Sequence, residues 1–390
     1  MITVEEAKRL LLAHAGRMPA QRLSLGEAAQ HVTAEAVIAP YDHPLFDCSA
    51  VDGYAFMHDP RRNEYRVAGS IAAGSVFDGT LPPDACVRIF TGAPMPRDAD
   101  TVVMQERCTL DGTRMHHADA RLRRGSNVRF RGEQLKAGAT ALPAGTWLDP
   151  AAIGLLASLG VREVGVSTRP RVSVVITGDE FARTDPPEAG RIFSSNDVML
   201  QAALRLQGVE AAVYRAPDDA DRLRTAIEQA LSQGDVLITT GGASVGDHDL
   251  VMPTLRGMGA EVHFHTVAQK PGKPMLFATL RGKPVLGLPG NPRAVLVLFH
   301  EYVLPLLRAR QGVANCWPRS EKLTLTHELV VKGDRAEFRA ARVRNSTVTL
   351  LADEGSHMLR SLAGADALAY LPAHVRTFAV GDIVDVHILP

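Results

Sequence analysis

The stretch from residue 235 to residue 249 reads Asp235-Val-Leu-Ile-Thr-Thr-Gly-Gly-Ala-Ser-Val-Gly-Asp-His-Asp249. Its apolar run predicts a buried strand, and the glycines from Gly241 to Gly246 predict a turn that leads into a helix. A strand, a glycine loop and a helix N-terminus together leave backbone N–H groups free, and the helix dipole favours negative charge. The glycines let a phosphate approach the main chain closely, because no Cβ stands in the way. The stretch therefore indicates an α/β domain with an anion site.

This loop differs from the common nucleotide-binding loops. Gly241 and Gly246 have the spacing of a P-loop, but Asp247-His248 stands where Lys-Ser or Lys-Thr should follow. The loop also lacks the pattern Gly-x-Gly-x-x-Gly of dinucleotide-binding folds. Asp247 and Asp249 can either cap the helix or hold a metal that bridges to phosphate. Taken alone, the loop leaves two interpretations open, a capped glycine turn and a phosphate site.

Strands and helices alternate from residue 170 to residue 310. This alternation predicts βαβ units on a mostly parallel sheet, in which ligands bind outside the carboxyl ends of the strands. Four loops that follow strands should therefore meet at one edge. They carry the sequences Thr177-Gly-Asp-Glu180, Ala216-Pro-Asp-Asp219, Lys270-Pro-Gly-Lys-Pro274 and Leu288-Pro-Gly-Asn-Pro292.

The flanking segments predict smaller domains. Thr3-Val-Glu-Glu6 fits a capping box for a helix to Ala13, and a second helix is expected from Ser24 to Thr33. Short apolar runs between Gly, Pro and Asp clusters indicate β structure, both upstream and after Cys316. The predicted division is a helical and linker domain (1–45 plus 130–168), a small β domain (46–129), the α/β domain (169–315) and a C-terminal β domain (316–390).

Composition limits the classes of function. Lys+Arg and Asp+Glu both number 43, so the formal net charge is zero and gives no support for binding to nucleic acid or to a membrane surface. The four cysteines show no zinc spacing, as expected of a reduced cytosolic protein. The N-terminus lacks the features of a signal peptide, and no apolar run of about 18 residues is present to span a bilayer. We expect a cytoplasmic protein.

The α/β loops combine complementary chemistry. The glycine loop offers backbone donors, Lys270 and Lys273 offer positive charge, and Gly290-Asn291-Pro292 starts a second helix after a strand. Carboxylates beside a phosphate repel it unless a cation bridges them, and Mg²⁺ prefers oxygen ligands. The alternative for each acid alone is a cap or a surface charge. The acids concerned are Asp179, Glu180, Asp218, Asp247 and Asp249.

These motifs together resemble the MoeA family of molybdopterin molybdenumtransferases, whose animal counterpart is the E domain of gephyrin. The resemblance rests on Thr177-Gly-Asp-Glu180, Lys270-Pro-Gly-Lys-Pro274 and Leu288-Pro-Gly-Asn-Pro292, on Thr240-Gly-Gly-Ala-Ser-Val-Gly246 with Asp249, and on two upstream motifs. The upstream motifs are Asp47-Cys-Ser-Ala-Val-Asp-Gly-Tyr-Ala55 and Thr91-Gly-Ala-Pro-Met-Pro96. The matched motifs span residues 47 to 292 in family order.

The resemblance implies an elongated homodimer of four-domain chains with a molybdopterin-binding α/β domain. It implies that adenylyl-molybdopterin and molybdate yield molybdenum cofactor and AMP, with Mg²⁺ helping to break the phosphoanhydride. Contact with the molybdopterin adenylyltransferase and with cofactor-accepting enzymes is a further implication. The implied catalytic residues are Asp52 (from the partner subunit), Thr91, Glu180 and Asp218. The implied metal ligands are Glu180, Asp218 and Asp249. The implied substrate-binding residues are Gly241, Gly242, Ser244, Gly246, Lys270, Lys273, Pro289, Gly290, Asn291 and Pro292.

The chain departs from the family pattern at three positions. Cys48 stands where Asn is usual, Gln134 stands where Asp is usual, and Thr266 stands where some members carry a basic residue. Two other functions therefore stay open, a molybdopterin adenylyltransferase and a non-catalytic molybdopterin-binding or scaffold paralogue. The sequence also leaves open whether molybdate or tungstate is the oxyanion, because the two are nearly equal in size and charge.

Overall fold

The computed structural model describes residues 1–182, 184–241, 250–352, 355, 358–375 and 377–390. The chain forms two compact units: 1–21, 30–34 and 167–390 make one, and 22–29 with 35–166 make the other. The helices are α1 (Val4–Ala13), α2 (Pro150–Ser158), α3 (Asn196–Arg205), α4 (Ala220–Gln233), α5 (Val251–Gly257), α6 (Pro292–Leu298), α7 (Leu304–Gln311) and α8 (Arg360–Ala363).

The unit of 22–29 and 35–166 contains a six-stranded sheet. The strands are β1 (Gly53–Phe56), β2 (Glu64–Ile71), β3 (Ala85–Ile89), β4 (Thr101–Met104), β5 (Cys108–Asp111) and β6 (Arg114–His117). Their spatial order is β4-β1-β3-β2-β6-β5, in which only the β2–β3 contact is parallel. Gly53 is required in β1, because a Cβ there would lie 1.9 Å from the carbonyl oxygen of Val103. Shorter strands are Ala20–Ser24, Val37–Ile38, Cys48–Ser49, Val128–Arg129, Thr140–Leu142 and Glu163–Ser167.

The helix predicted from Ser24 to Thr33 does not form, so that prediction is wrong. Ser24 ends a short strand, and its carbonyl accepts hydrogen bonds from the N–H groups of Glu27 and Ala28. The chain then leaves the helical conformation at Gln30, whose φ is +60°. One helical turn followed by a left-handed residue cannot propagate a helix.

The unit of 1–21, 30–34 and 167–390 is built on another six-stranded sheet. Its strands are β7 (Val172–Thr177), β8 (Ala211–Ala216), β9 (Val236–Thr240), β10 (Glu261–Thr266), β11 (Pro274–Leu280) and β12 (Lys283–Leu288). They lie in the order β8-β7-β9-β12-β11-β10. The three contacts from β8 to β12 are parallel, and the two that involve β11 are antiparallel, which confirms the mostly parallel sheet.

Helices cover both faces of this sheet. Ile238 packs in the core cluster that contains residues of α1, α3 and α6, whereas its neighbour Leu237 packs in the cluster of α4 and α5. Strands buried on both faces explain the continuous apolar runs in the sequence. Helix α4 buries the five apolar residues expected from their spacing, and the Asp219 side chain caps it by accepting from the N–H of Arg222 at 2.9 Å.

The C-terminal β structure closes into a barrel. Its strands are β13 (Ser320–Leu325), β14 (Ala336–Arg344), β15 (Thr347–Leu350), β16 (Ala367–Leu371) and β17 (Ile383–Ile388), with Leu329–Val330 paired to Thr377–Phe378 beside them. They pair in the ring β14-β15-β13-β17-β16, and β16 pairs again with β14. The short strand Gln269–Lys270 extends from the α/β layer and pairs in parallel with the start of β14.

A buried carboxylate joins α1, the helix after Pro292 and the barrel. Between α6 and α7 the helix makes a π turn (Phe299–Val303), which contains the fully buried Glu301. Its carboxylate contacts Lys8 Nζ at 2.8 Å and His387 Nδ1 at 2.7 Å. Burial acts to raise the pKa of Glu301, but the hydrogen bond from His387 and the charge of Lys8 outweigh burial and lower it.

No helix in the described part of the chain is both long enough and apolar enough to cross a membrane.

Replacing Glu301 should destabilise this unit strongly. We expect Glu301→Ala to lower the free energy of unfolding by about 3–5 kcal/mol, because it leaves the partly buried Lys8 and His387 without the carboxylate that they contact. Glu301 has a lowered pKa, so its contribution is present at neutral pH and is lost as the pH falls through the folded value. Denaturant unfolding of the parent chain and of Glu301→Ala, measured from pH 7 to pH 4, should therefore show a difference in free energy of unfolding that becomes smaller as the pH falls.

The matched control is Glu228→Ala, which removes an exposed carboxylate paired with Arg224 and Arg281. This change should alter stability by no more than about 0.5 kcal/mol. Equal unfolding midpoints for the two variants would contradict a structural role for Glu301.

Candidate functional site

Two predicted loops meet at the carboxyl edge of the parallel sheet. Gly241, directly after β9, has φ +88°, and a Cβ there would lie 2.2 Å from the carbonyl oxygen of Thr177. A Cβ at Gly290 would lie 3.8 Å from Gly241 Cα, so the first residue after β9 lies beside the loop that follows β12. The other predicted residues of the glycine loop, Gly242, Ser244, Gly246 and Asp249, lie outside the described residues.

The side chain of Asn196 ties these strand ends together. Its Nδ2 donates to Thr240 Oγ1 and to the carbonyl oxygen of Gly290, both at 2.8 Å, while Thr240 Oγ1 donates to the carbonyl oxygen of Pro289 at 3.2 Å. Asn196 is 5% exposed and begins α3. No local sequence pattern indicates this role, because its partners are 44 and 94 residues away.

The helix start predicted at Pro292 is confirmed. Pro292 is the first residue of α6, and the Asn291 side chain caps the helix by accepting from the N–H of Arg293 at 3.1 Å. Proline fits this position because the first helical N–H has no partner within the helix. The cap explains Asn291-Pro292 as local structure and also fixes where Pro289 and Gly290 lie.

A pocket of about 410 Å³ collects the predicted lysines and the loop after β12. Lys270, Lys273, Pro289 and Asn291 line it together with residues of the barrel that the sequence motifs do not indicate. The charged ones, Arg335, Glu337 and Arg339, alternate at the start of β14, and this alternation is the sequence signal for them. The remaining described lining residues are Pro271, Gly272, Pro274, Arg293, Ala294 and Phe338.

The pocket is strongly cationic. Among its described lining residues, five are basic and one, Glu337, is acidic. Glu337 is 3% exposed and contacts Lys270 Nζ at 3.5 Å and the Arg339 guanidinium at 2.7 Å. Arg335 Nη1 donates to the carbonyl oxygen of Gln269 at 3.3 Å. Lys273 and Arg335 make no ion pair among the described residues, so the pocket is suited to an anion.

The predicted metal ligands Glu180 and Asp218 follow adjacent parallel strands. Thr177 and Ala216, which end these strands, are register partners, and both carboxylates are exposed. Neither side chain has a hydrogen bond or ion pair within the described residues, and Asp219, not Asp218, caps α4. Free carboxylate oxygens fit the preference of Mg²⁺. Among the described residues, however, no three His, Cys, Asp or Glu side chains group closely enough to hold a metal.

The Asp52 and Thr91 side chains are joined in the unit that contains the β1–β6 sheet. Asp52 Oδ1 accepts from both the backbone N–H and the Oγ1 of Thr91, each at 2.8 Å. These two donors lower the pKa of Asp52, the backbone donor most. The carboxylate is therefore ionised and held in one orientation, as a group with an electrostatic role requires.

Family models cover most of the chain. Residues 2–160 match the MoeA N-terminal region (domain I and II), residues 173–309 match a probable molybdopterin binding domain, and residues 322–389 match the MoeA C-terminal region (domain IV). This chain belongs to the MoeA family.

MoeA relatives match over nearly their full length. Molybdopterin molybdenumtransferases of Staphylococcus aureus (strain COL) and Staphylococcus epidermidis (strain ATCC 35984) are each 33% identical to this chain, over 99% of it and 95% of the relative. The crystal structure of the molybdopterin biosynthesis moeA protein from Pyrococcus horikoshii OT3 superposes with a TM-score of 0.86 at 27% identity, and each chain is covered completely. The resemblance inferred from the motifs is thus confirmed.

The Thr91 hydroxyl should control the ionisation of Asp52. We expect Thr91→Val to raise the pKa of Asp52 toward its ordinary value, because one of two donors is lost while the backbone donor remains. A ¹³C-carboxyl NMR titration measures this directly. Thr91→Ser keeps the hydroxyl and should leave the pKa unchanged; a Thr91→Val titration curve that overlays the parent curve would contradict the assignment.

Proposed function

We propose that this MoeA protein is a molybdenum insertase of molybdenum cofactor biosynthesis. Molybdate is transferred into adenylyl-molybdopterin, and AMP is released. The observation that carries the proposal is the cationic pocket in which Lys270 and Lys273 meet Arg335 and Arg339. Its volume of about 410 Å³ falls within the range usual for small-molecule sites.

The pocket is the proposed oxyanion site. A tetrahedral dianion offers several oxygens, which lysine ammonium groups and planar guanidinium groups recognise as hydrogen-bond acceptors. Molybdate would be held by Lys270 and Lys273 from the α/β layer and by Arg335 from the barrel. Glu337 keeps Arg339 and Lys270 oriented before the anion arrives.

The pterin phosphate is proposed to lie on the backbone of the glycine loop, with Ser244 as a side-chain donor. Close packing at Gly241 supports this assignment, because a Cβ there would collide with the carbonyl oxygen of Thr177. Asn196 holds both loop backbones in place. Pro289 would line the wall between this phosphate and the oxyanion pocket.

Mg²⁺ is proposed to bind Glu180, Asp218 and Asp249. When bound, it would neutralise charge on the phosphoanhydride that breaks. Asp52, whose carboxylate is oriented by hydrogen bonds from Thr91, is proposed to act in the reaction as a further carboxylate. A homodimer, the four-domain division and contacts with the adenylyltransferase and cofactor-accepting enzymes complete the proposal.

The function is tested by incubating the protein with adenylyl-molybdopterin, molybdate and Mg²⁺. We expect AMP release together with active cofactor, and a KM for molybdate raised about 10-fold or more by Lys270→Ala or Lys273→Ala, because each removes a charge-assisted hydrogen bond. Lys322→Ala, which removes a lysine paired with Asp385 on the barrel, is the matched control and should leave this KM unchanged. The proposal fails if the parent chain releases no AMP and forms no cofactor.

Removing the metal should separate its role from that of the lysines. We expect a chelator to abolish AMP release and added Mg²⁺ to restore it. Glu180→Gln and Asp218→Asn should raise the Mg²⁺ concentration needed for half-maximal rate, because each replaces an ionised ligand by a neutral amide. Activity that persists in excess chelator would contradict a metal requirement.

A further inference from the structure

The lysine loop rests on one buried side chain. Gln269 is fully buried, and its Nε2 donates to the carbonyl oxygen of Gly272 at 3.0 Å. Gly272 lies between Lys270 and Lys273 in the sequence. The Gln269 carbonyl oxygen accepts from Arg335 Nη1 at 3.3 Å. Gln269 therefore contacts both the lysine loop and an arginine of the barrel, although it does not line the pocket.

Tyr302 fixes the orientation of Gln269. Its hydroxyl donates to Gln269 Oε1, and its side chain is fully buried in the π turn between α6 and α7. Burial raises the pKa of Tyr302 well above its ordinary value, so the hydroxyl keeps its proton and can only offer it to the amide oxygen. With Oε1 held in this way, the amide must turn Nε2 toward Gly272.

The same helix supports the loop at a second point. Gly272 has φ +82°, and a Cβ there would lie 2.9 Å from the side-chain atoms of Leu298. Leu298 and Tyr302 are four residues apart and therefore lie on one face of the helix. The lysine loop is thus seated on α6 and the π turn by one apolar contact and one relay of two hydrogen bonds.

We propose that Tyr302 is a positioning residue for the oxyanion pocket and acts through Gln269 on Lys270, Lys273 and Arg335. The inference rests on the proposed function, because it assigns an oxyanion to this pocket. An anion bound by several cations gains affinity when those cations are already in place, since binding then orders fewer side chains. Tyr302 and Gln269 hold the cations in place from buried positions that do not line the pocket.

The test compares molybdate binding to the full chain and to variants by isothermal titration calorimetry. Tyr302→Phe should weaken binding roughly 5- to 10-fold, because it removes one hydrogen bond and leaves Gln269 Oε1 buried without a donor. In the AMP-release assay the KM for molybdate should rise by a similar factor, while kcat changes less than about 2-fold. Tyr65→Phe is the matched control: Tyr65 is 1% exposed and donates to Met57 in the other unit, so molybdate affinity should not change.

A double variant separates positioning from stability. Tyr302→Phe with Gln269→Leu removes both partners of the buried hydrogen bond, so the melting temperature should recover part of the loss seen in Tyr302→Phe alone. Molybdate affinity should stay low, because the Gln269→Leu change removes the donor to the Gly272 carbonyl oxygen. Affinity that returns together with the melting temperature would overturn the proposal, as would an unchanged Kd in Tyr302→Phe.

Hydrogen exchange tests the relay without any ligand. The peptide that contains Lys270, Gly272 and Lys273 should exchange its amide protons faster in Tyr302→Phe than in the parent chain, whereas Tyr65→Phe should match the parent. This outcome is independent of oxyanion binding. A parent chain that binds no molybdate but shows faster exchange in Tyr302→Phe would refute the proposed function of the pocket and keep the positioning role, whereas unchanged exchange would overturn the positioning role itself.

Discussion

The ion triad at Glu301 is the interaction on which the arrangement of the larger unit depends. A carboxylate that is fully buried must be paired, because the cost of removing it from water is otherwise not recovered. Its partners come from the N-terminal helix and from the last barrel strand, at residues 8 and 387. Lys8 also lies over the ring of Trp317, at 5.1 Å from the centroid. The two ends of the chain are thereby held against the same helical turn.

This pairing has a direct consequence for the site. With β17 held at the π turn, the neighbouring barrel strand β16 and then β14 are placed beside the lysine loop, and the short strand Gln269–Lys270 pairs with β14. Alternating residues of β14 then face the pocket. A cationic pocket forms from segments about 65 residues apart because a distant buried charge fixes how the barrel packs.

Local signals in the sequence were enough to predict most of the elements. The capping box at Thr3, the spacing of the apolar residues in α4 and the proline at the start of α6 each depend on neighbours within a few residues. The barrel arginines and Asn196 were missed because their roles depend on partners far away in the chain. The failed helix after Ser24 shows the reverse case, in which a left-handed residue overrode a helical pattern.

The glycine loop has no lysine of its own, and the positive charge of the site lies on other segments. Gly241 packs closely against Thr177, so only glycine fits at the residue where the loop begins. Positive charge placed on a neighbouring loop and on the barrel can instead be oriented independently, by Glu337 and by the buried relay through Gln269. In the proposed reaction, two anionic groups, a phosphate and an oxyanion, would then bind side by side with different ligands, main-chain donors for one and cations for the other. A reaction that joins two anions needs such a division, because a single cationic cluster would bind either anion in the same place.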